Sequence, residues 1–210
     1  MTHRAVILAV DPGARAGWRV RSPERVGYGV AETHAQRCEA VLMAKTEALR
    51  LGLPLVIIAE AWTRFGKWGA AQMAGTAAQW GRWQVAIDET HLETMPKIGR
   101  AKAYCGVVRV QSDVWYRALI AGPGRCTTKR PQRLLNAQAR AGIADPDIAV
   151  ATCIAEWATL SPLVGKRLPV AFRTVAARGQ TRRARPPTRR STPAYAPLVD
   201  ARRSKQGGIP

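Results

Sequence analysis

Two carboxylates in this chain stand where hydrophobic runs stop. Asp11 ends Val6-Ile7-Leu8-Ala9-Val10 and is followed at once by Pro12-Gly13, and Glu60 ends Leu55-Val56-Ile57-Ile58-Ala59. Short apolar runs of this kind, rich in β-branched side chains, read as buried strands, so each acid sits at a strand tip. Carboxylates are hard oxygen ligands suited to a divalent cation such as Mg2+. In a chain of formal charge +19, a metal ion held there would sit where polyanionic substrate collects. Further along, Asp145-Pro146-Asp147 opens another apolar stretch. Asp145 before Pro146 is an N-cap and first-turn pair, and Asp147 is not needed for that cap.

These acids are few against the background charge. Lys and Arg number 33 against 14 Asp and Glu in 210 residues, a formal charge of +19 and a pI near 11.2. That balance predicts a polyanionic partner, nucleic acid ahead of an anionic membrane surface, with strongly salt-dependent binding. With 47% hydrophobic residues the chain can bury one core of ordinary size. Cys38, Cys105, Cys126 and Cys153 are scattered, with no CxxC pair and no His at ligand spacing, so neither a zinc site nor a disulfide framework is expected. Reduced thiols and a cytoplasmic location follow, and no signal-like or membrane-spanning stretch argues otherwise. His3, His34 and His91 fall outside every motif and are not expected to be catalytic.

The elements that must position the acids are legible in order. Pro12-Gly13 and Gly17 supply turn chemistry for a hairpin from the first strand into residues 17–21, and a second turn at Ser22-Pro23-Glu24 leads to a third strand at 26–30. Thr33 caps a helix to about Arg50, with Ala40, Val41, Ala44, Ala48 and Leu49 on one side and Gly52 past its end. A strand reached through a helix returns parallel to its neighbour by a right-handed crossover. If the Glu60 strand lies beside the first, both acids occupy one edge of the sheet. A long helix from about Trp68 to Asp88 follows, carrying Gly69, Gly75 and Gly81, a small-residue surface that another backbone could approach. Next come a short strand at Val107–Val110, a helix near Val114, a helix from Pro131 to Arg140 and the last core helix from Pro146. From about Pro162 twelve cations face one anion, Asp200, in a Pro-, Ser- and Thr-rich stretch. The chain is therefore read as a core over 1–162 and a disordered polycationic tail over 163–210.

Taken together and in order, Ile7 to Gly13 with Gly17-Trp18, Ile57 to Glu60, the glycine-bearing helix, Val108 to Arg117, and Asp147 to Trp157 resemble the RuvC-type Holliday junction resolvases, particularly their phage and prophage relatives. The resemblance spans about residues 5 to 160. It implies a ribonuclease H-like α/β fold, a mixed five-stranded sheet with three antiparallel strands followed by parallel ones, flanked by helices. It also implies a homodimer acting on four-way DNA junctions, and four carboxylates holding two Mg2+ ions, for which Mn2+ can substitute. Asp11 would be the shared ligand and Glu60 the second. The family's last helix carries two acids three residues apart, and here Asp147 takes the first position and Val150 the second. Valine cannot bind a metal, and sliding the register so that Asp147 takes the second position places Ala144 in the first, so Asp145, from the cap position, is the candidate fourth ligand. Lys129 matches a basic residue near the site in phage enzymes, and Arg117, Arg64 and Lys67 are further candidates for phosphate contacts.

The implied function is metal-dependent, structure-selective endonucleolytic hydrolysis of branched DNA. A nucleic-acid-binding protein that keeps the fold but is catalytically impaired at the Val150 position is the alternative. A third reading takes Asp11-Pro12-Gly13 as the phosphate loop of a sugar kinase or actin-like ATPase, an assignment opposed by the chain's length, since such enzymes need two domains of this kind.

Overall fold

In a computed structural model of the chain, residues 5–61, 70–98, 102–122 and 129–161 are described. All of them belong to the first of the chain's two units, Met1–Arg178. The expected tail over 163–210 and the candidate residues Arg64 and Lys67 lie outside the described residues.

Five strands form one mixed sheet: β1 (Val6–Asp11), β2 (Ala16–Arg21), β3 (Val26–Ala31), β4 (Leu55–Ala61) and β5 (Tyr104–Gln111), in spatial order β3-β2-β1-β4-β5. β1 pairs antiparallel with β2 and parallel with β4, and β4 pairs parallel with β5. This is the three-antiparallel-then-parallel sheet expected of a ribonuclease H-like fold. Every residue of β1 is buried, as a central strand covered on both faces must be.

Because side chains alternate along a strand, the two faces of β1 serve different cores. Val6, Leu8 and Val10 pack with Val41, Ala44, Trp83 and Ile87 beneath helices α1 (His34–Leu51) and α2 (Ala70–Glu89). Ile7 and Ala9, with Val56 and Ile58 of β4, pack with Val150, Ile154 and Trp157 of the last helix, α5 (Pro146–Leu160). The shorter helices α3 (Ser112–Tyr116) and α4 (Arg130–Ala141) complete that layer. Each fully buried Val, Leu or Ile contributes about 1.5–3 kcal/mol of transfer free energy, so the sheet is held from both sides.

Local signals account for most element ends. Thr33 caps α1 in a reciprocal box with Gln36, and Gly52 closes it in the left-handed conformation. Leu49, expected on the buried side of α1, is 44% exposed; the buried stripe is Arg37, Ala40, Val41, Ala44 and Ala48, with Glu47 beside it. β5 is longer than the apolar run Val107–Val110. One extra residue bulges it opposite Leu55–Ile57, and Gly106 at φ 86° sits in that irregularity, where the apolar alternation breaks. The helix after Ser112 tightens only briefly as α3 and widens into a π-helical turn over Arg117–Ala121. No described backbone approaches Gly75 or Gly81, since a Cβ at either would enter open space. Trp83 is buried in the core. No helix among the described residues is long and apolar enough to cross a membrane.

Gly17 has the opposite surroundings. It pairs with Asp11 across β1 and β2, and a Cβ there would collide with the backbone carbonyl of Asp147. Its missing side chain lets the first turn of α5 lie directly on the strand pair. Gly17→Ala should therefore push α5 off the sheet and destabilise the protein by about 1–3 kcal/mol or more. A lowered urea midpoint checks this, and an unchanged midpoint would contradict the contact.

Candidate active site

The parallel register aligns Val10 with Ala59, which sets Asp11 and Glu60 side by side at the C-terminal ends of β1 and β4. Alternation then decides where their side chains go. Asp11 follows Ile7 and Ala9, and Glu60 follows Val56 and Ile58, all on the face covered by α5. Asp147 lies in the first turn of α5, whose backbone rests on Gly17 next to Asp11. Three carboxylates from three elements thus stand at one edge of the sheet.

Their charges are felt. Burial, then the charges of Glu60 and Asp147, push Asp11 well above the usual carboxylate range, and Arg130 opposes them. No described residue donates a hydrogen bond to the Asp11 side chain, which is only 6% exposed. Burial also raises Glu60, against the lowering effects of a hydrogen bond from Trp115 and the positive charges of Arg130 and Arg133. The Trp115 indole N–H donates to Glu60 Oε1 at 3.1 Å. Trp115 itself is buried, so one oxygen of Glu60 is fixed by a rigid ring.

Asp145 has a different occupation. Its Oδ1 accepts from the backbone N–H groups of Asp147 and Ile148 at 3.0 and 3.1 Å, the N-cap geometry. Its Oδ2 pairs with Arg15, which also reaches Asp147 Oδ2 at 2.6 Å and Glu32 at 3.5 Å. The Arg15 hydrogen bond, outweighing partial burial and aided by the cap, holds Asp145 below its ordinary value. With both oxygens taken, Asp145 is a capping and ion-pair residue here. Val150, at the position where the family resemblance calls for an acid, is 3% exposed and packs in the core beneath α5.

Of the basic candidates, Lys129 is exposed at the start of α4 without a side-chain capping bond. Arg117 turns back on its own helix, bonding the Asp113 carbonyl and carboxylate, both at 3.1 Å. The arginines whose fields reach the acids are Arg130 and Arg133, which the sequence reading did not single out. Their spacing of three on α4 was the available signal. Arg133 is further placed by Tyr116, with its guanidinium 5.4 Å from the ring centre.

Carboxylate oxygens from β1, β4 and α5 form a donor set that suits a hard divalent ion in type. Among the described residues, however, Asp11, Glu60 and Asp147 do not bring three ligand atoms within 4.8 Å; the group that does is His34, Cys38 and Glu89. The expectation that no His stands at ligand spacing is corrected here, because His34 and Cys38 are one helical turn apart on α1.

No family model and no curated protein matches the chain. Among solved structures it is similar to Thermus thermophilus RuvC in complex with a Holliday junction substrate, at 17% identity and a TM-score of 0.40, covering 73% of this chain and 91% of that one. A second Thermus thermophilus RuvC structure matches at 18% identity and a TM-score of 0.42, with 79% and 99% covered. A likeness this distant says nothing about chemistry, nor does it extend to a phage origin.

The pH dependence follows from the raised acids. Asp11 and Glu60 each take up their proton in the folded protein at a higher pH than in the unfolded chain. The stability they contribute is intact below the unfolded carboxylate range and is lost as pH climbs through their raised values. Asp11→Asn should flatten that loss and raise the metal-free melting temperature at neutral pH, by about 2–4 °C for each kcal/mol relieved. Thermal melts of both proteins in chelator across this range test it, and a lower melting temperature for the variant at neutral pH would refute it.

Proposed function

We propose that this protein is a divalent-metal-dependent endonuclease that hydrolyses phosphodiester bonds in branched DNA, with the four-way junction as its substrate. The observation that carries the reading is the convergence of Asp11, Glu60 and Asp147 at one sheet edge, under the fields of Arg130 and Arg133, in a chain of net charge +19. The ordered resemblance to RuvC-type resolvases supplies the junction and the homodimer.

In this reading Asp11, Glu60 and Asp147 would hold Mg2+, which supplies activation of the attacking water and stabilisation of the departing oxygen. Asp11 is central because β1 is flanked on both sides, so its carboxylate faces Glu60 from one direction and Asp147 from the other. Trp115 keeps one Glu60 oxygen in place, leaving the other for the site. Arg130 and Arg133 make the site's mouth positive, which draws in a phosphate backbone and steadies its charge. Arg15 competes for Asp147, so it has to release that carboxylate before Asp147 serves as a ligand.

A second reading, junction binding without cleavage, is favoured by two specific observations: Val150 is committed to the core, and Arg15 occupies both Asp145 and Asp147. One experiment separates the two. Purified protein is incubated with a labelled immobile junction and a matched linear duplex, in Mg2+, Mn2+ or chelator, alongside Asp11→Asn. Endonuclease activity predicts paired nicks confined to the junction, abolished by chelator and reduced at least about 100-fold to 1000-fold in the variant, the scale of several kcal/mol of transition-state stabilisation. Tight junction binding with no cut in either metal would overturn catalysis and leave the binding module.

Arg15→Ala separates the role of the ion pair. Freed of the guanidinium, Asp147 should bind metal more readily, lowering the Mg2+ concentration needed for half-maximal thermal stabilisation several-fold. An unchanged or higher requirement would place Asp147 outside the metal site.

A further inference from the structure

A second cluster of ligands lies elsewhere, between the N-terminal end of α1 and the C-terminal end of α2. His34 is the first residue of α1 and Cys38 stands one turn later on the same face. Glu89, the last residue of α2, reaches across to both. His34 Nε2 lies 2.6 Å from Glu89 Oε2 and 3.4 Å from Cys38 Sγ, and Sγ lies 3.8 Å from the same carboxylate oxygen.

We infer that His34, Cys38 and Glu89 form a binding site for a borderline transition-metal ion, Zn2+ foremost, with one coordination position left open. The donor set is the first reason. A thiol, an imidazole and a carboxylate together match zinc, whereas Mg2+ takes oxygen ligands only. Dimensions are the second. Around tetrahedral zinc, ordinary bond lengths place sulfur about 3.6 Å from nitrogen or oxygen, and nitrogen about 3.3 Å from oxygen. The two sulfur distances are already within a few tenths of an ångström of that geometry. Only His34 and Glu89 have to separate, replacing their hydrogen bond by two metal bonds, and both are about half exposed.

The simple ion pair is a poor account of the cluster. A protonated His34 would put positive charge at the N-terminus of α1, and Glu89 puts negative charge at the C-terminus of α2, each the disfavoured end of its helix dipole. Exposed pairs of this kind contribute about 0–1 kcal/mol, and Cys38 has no part in one. A metal ion takes imidazole in its neutral form and makes use of all three groups. It would staple the start of α1 to the end of α2, with water or an exogenous ligand on the fourth position.

The test uses full-length protein, stripped by chelator and kept reduced, titrated with Co2+ as a spectroscopic stand-in and with Zn2+ by calorimetry. The site predicts a thiolate-to-cobalt charge-transfer band, one equivalent of Zn2+ displacing it, and a higher melting temperature with Zn2+. Cys38→Ser should abolish the band, and His34→Asn and Glu89→Gln should each weaken Zn2+ binding at least about tenfold, the range seen when a supporting ligand contact is lost. Asp11→Asn should leave the band and the Zn2+ stoichiometry unchanged, which separates this site from the carboxylates at the sheet edge. Circular dichroism confirms that each variant is folded. No charge-transfer band, or a band that persists in folded Cys38→Ser, would overturn the assignment.

Discussion

The parallel pairing of β1 with β4 is the constraint from which the rest follows. It fixes two carboxylates side by side at the tips of the most buried strands of the sheet, on the same face, Asp11 buried and Glu60 partly so. Each alone would be an ordinary strand-end acid. Together, and with Asp147 brought in by α5, they build up negative charge that the apolar core beneath cannot relieve. The neighbouring structure can be understood as a response to that charge. Trp115 donates to one oxygen, α4 turns two arginines toward the acids, and Gly17 gives up a side chain so that α5 can bring its acidic first turn close.

Positive charge meets these acids in two ways. Arg130 acts on Asp11 and Glu60, and Arg133 on Glu60, through their fields. Arg15 acts by contact, holding Asp145 and Asp147 at once. The difference has a functional meaning. A field from the rim attracts an incoming phosphate and leaves the ligands open, whereas a guanidinium seated on a carboxylate stands where a cation would otherwise sit. Asp145 pays little for that contact because it already caps α5 with its other oxygen. Asp147, which caps nothing, is the residue that Arg15 restrains.

What could be read from sequence was what depends on near neighbours. Asp11 and Glu60 ended apolar runs, Thr33 and Gly52 bounded α1, and Asp145-Pro146 opened α5, each a local signal, and the alternation of strand and helix made β1 and β4 parallel. What escaped depends on contacts made at a distance. Arg15 meets its partner Asp145 across 130 positions of chain. The reach of Arg130 to Asp11 appears only once α4 is packed on α5. His34 and Cys38 carried a visible one-turn spacing, but nothing near them in sequence announced Glu89. The bulge at Gly106 disrupted the alternation that would have revealed the full length of β5. Leu49 failed for another reason: an apolar residue beside a buried stripe is not thereby on it.

Val150 shows how packing and charge trade against each other at this site. It lies one helical turn beyond Asp147 and is buried with Ile7, Ala9 and Ile58. A carboxylate in its place would enter an apolar layer that already has Asp11 and Glu60 above it. Burying another charge there costs several kcal/mol unless cations fully offset it. With valine the layer stays apolar, α5 seats firmly on the sheet, and Asp147 is held in place by the packing of the turn that follows it. The same residue reduces the negative charge available to attract metal. Three carboxylates under the influence of three arginines then make a site whose metal occupancy depends on a close balance of charge, with Arg15 on one side and the incoming ion on the other.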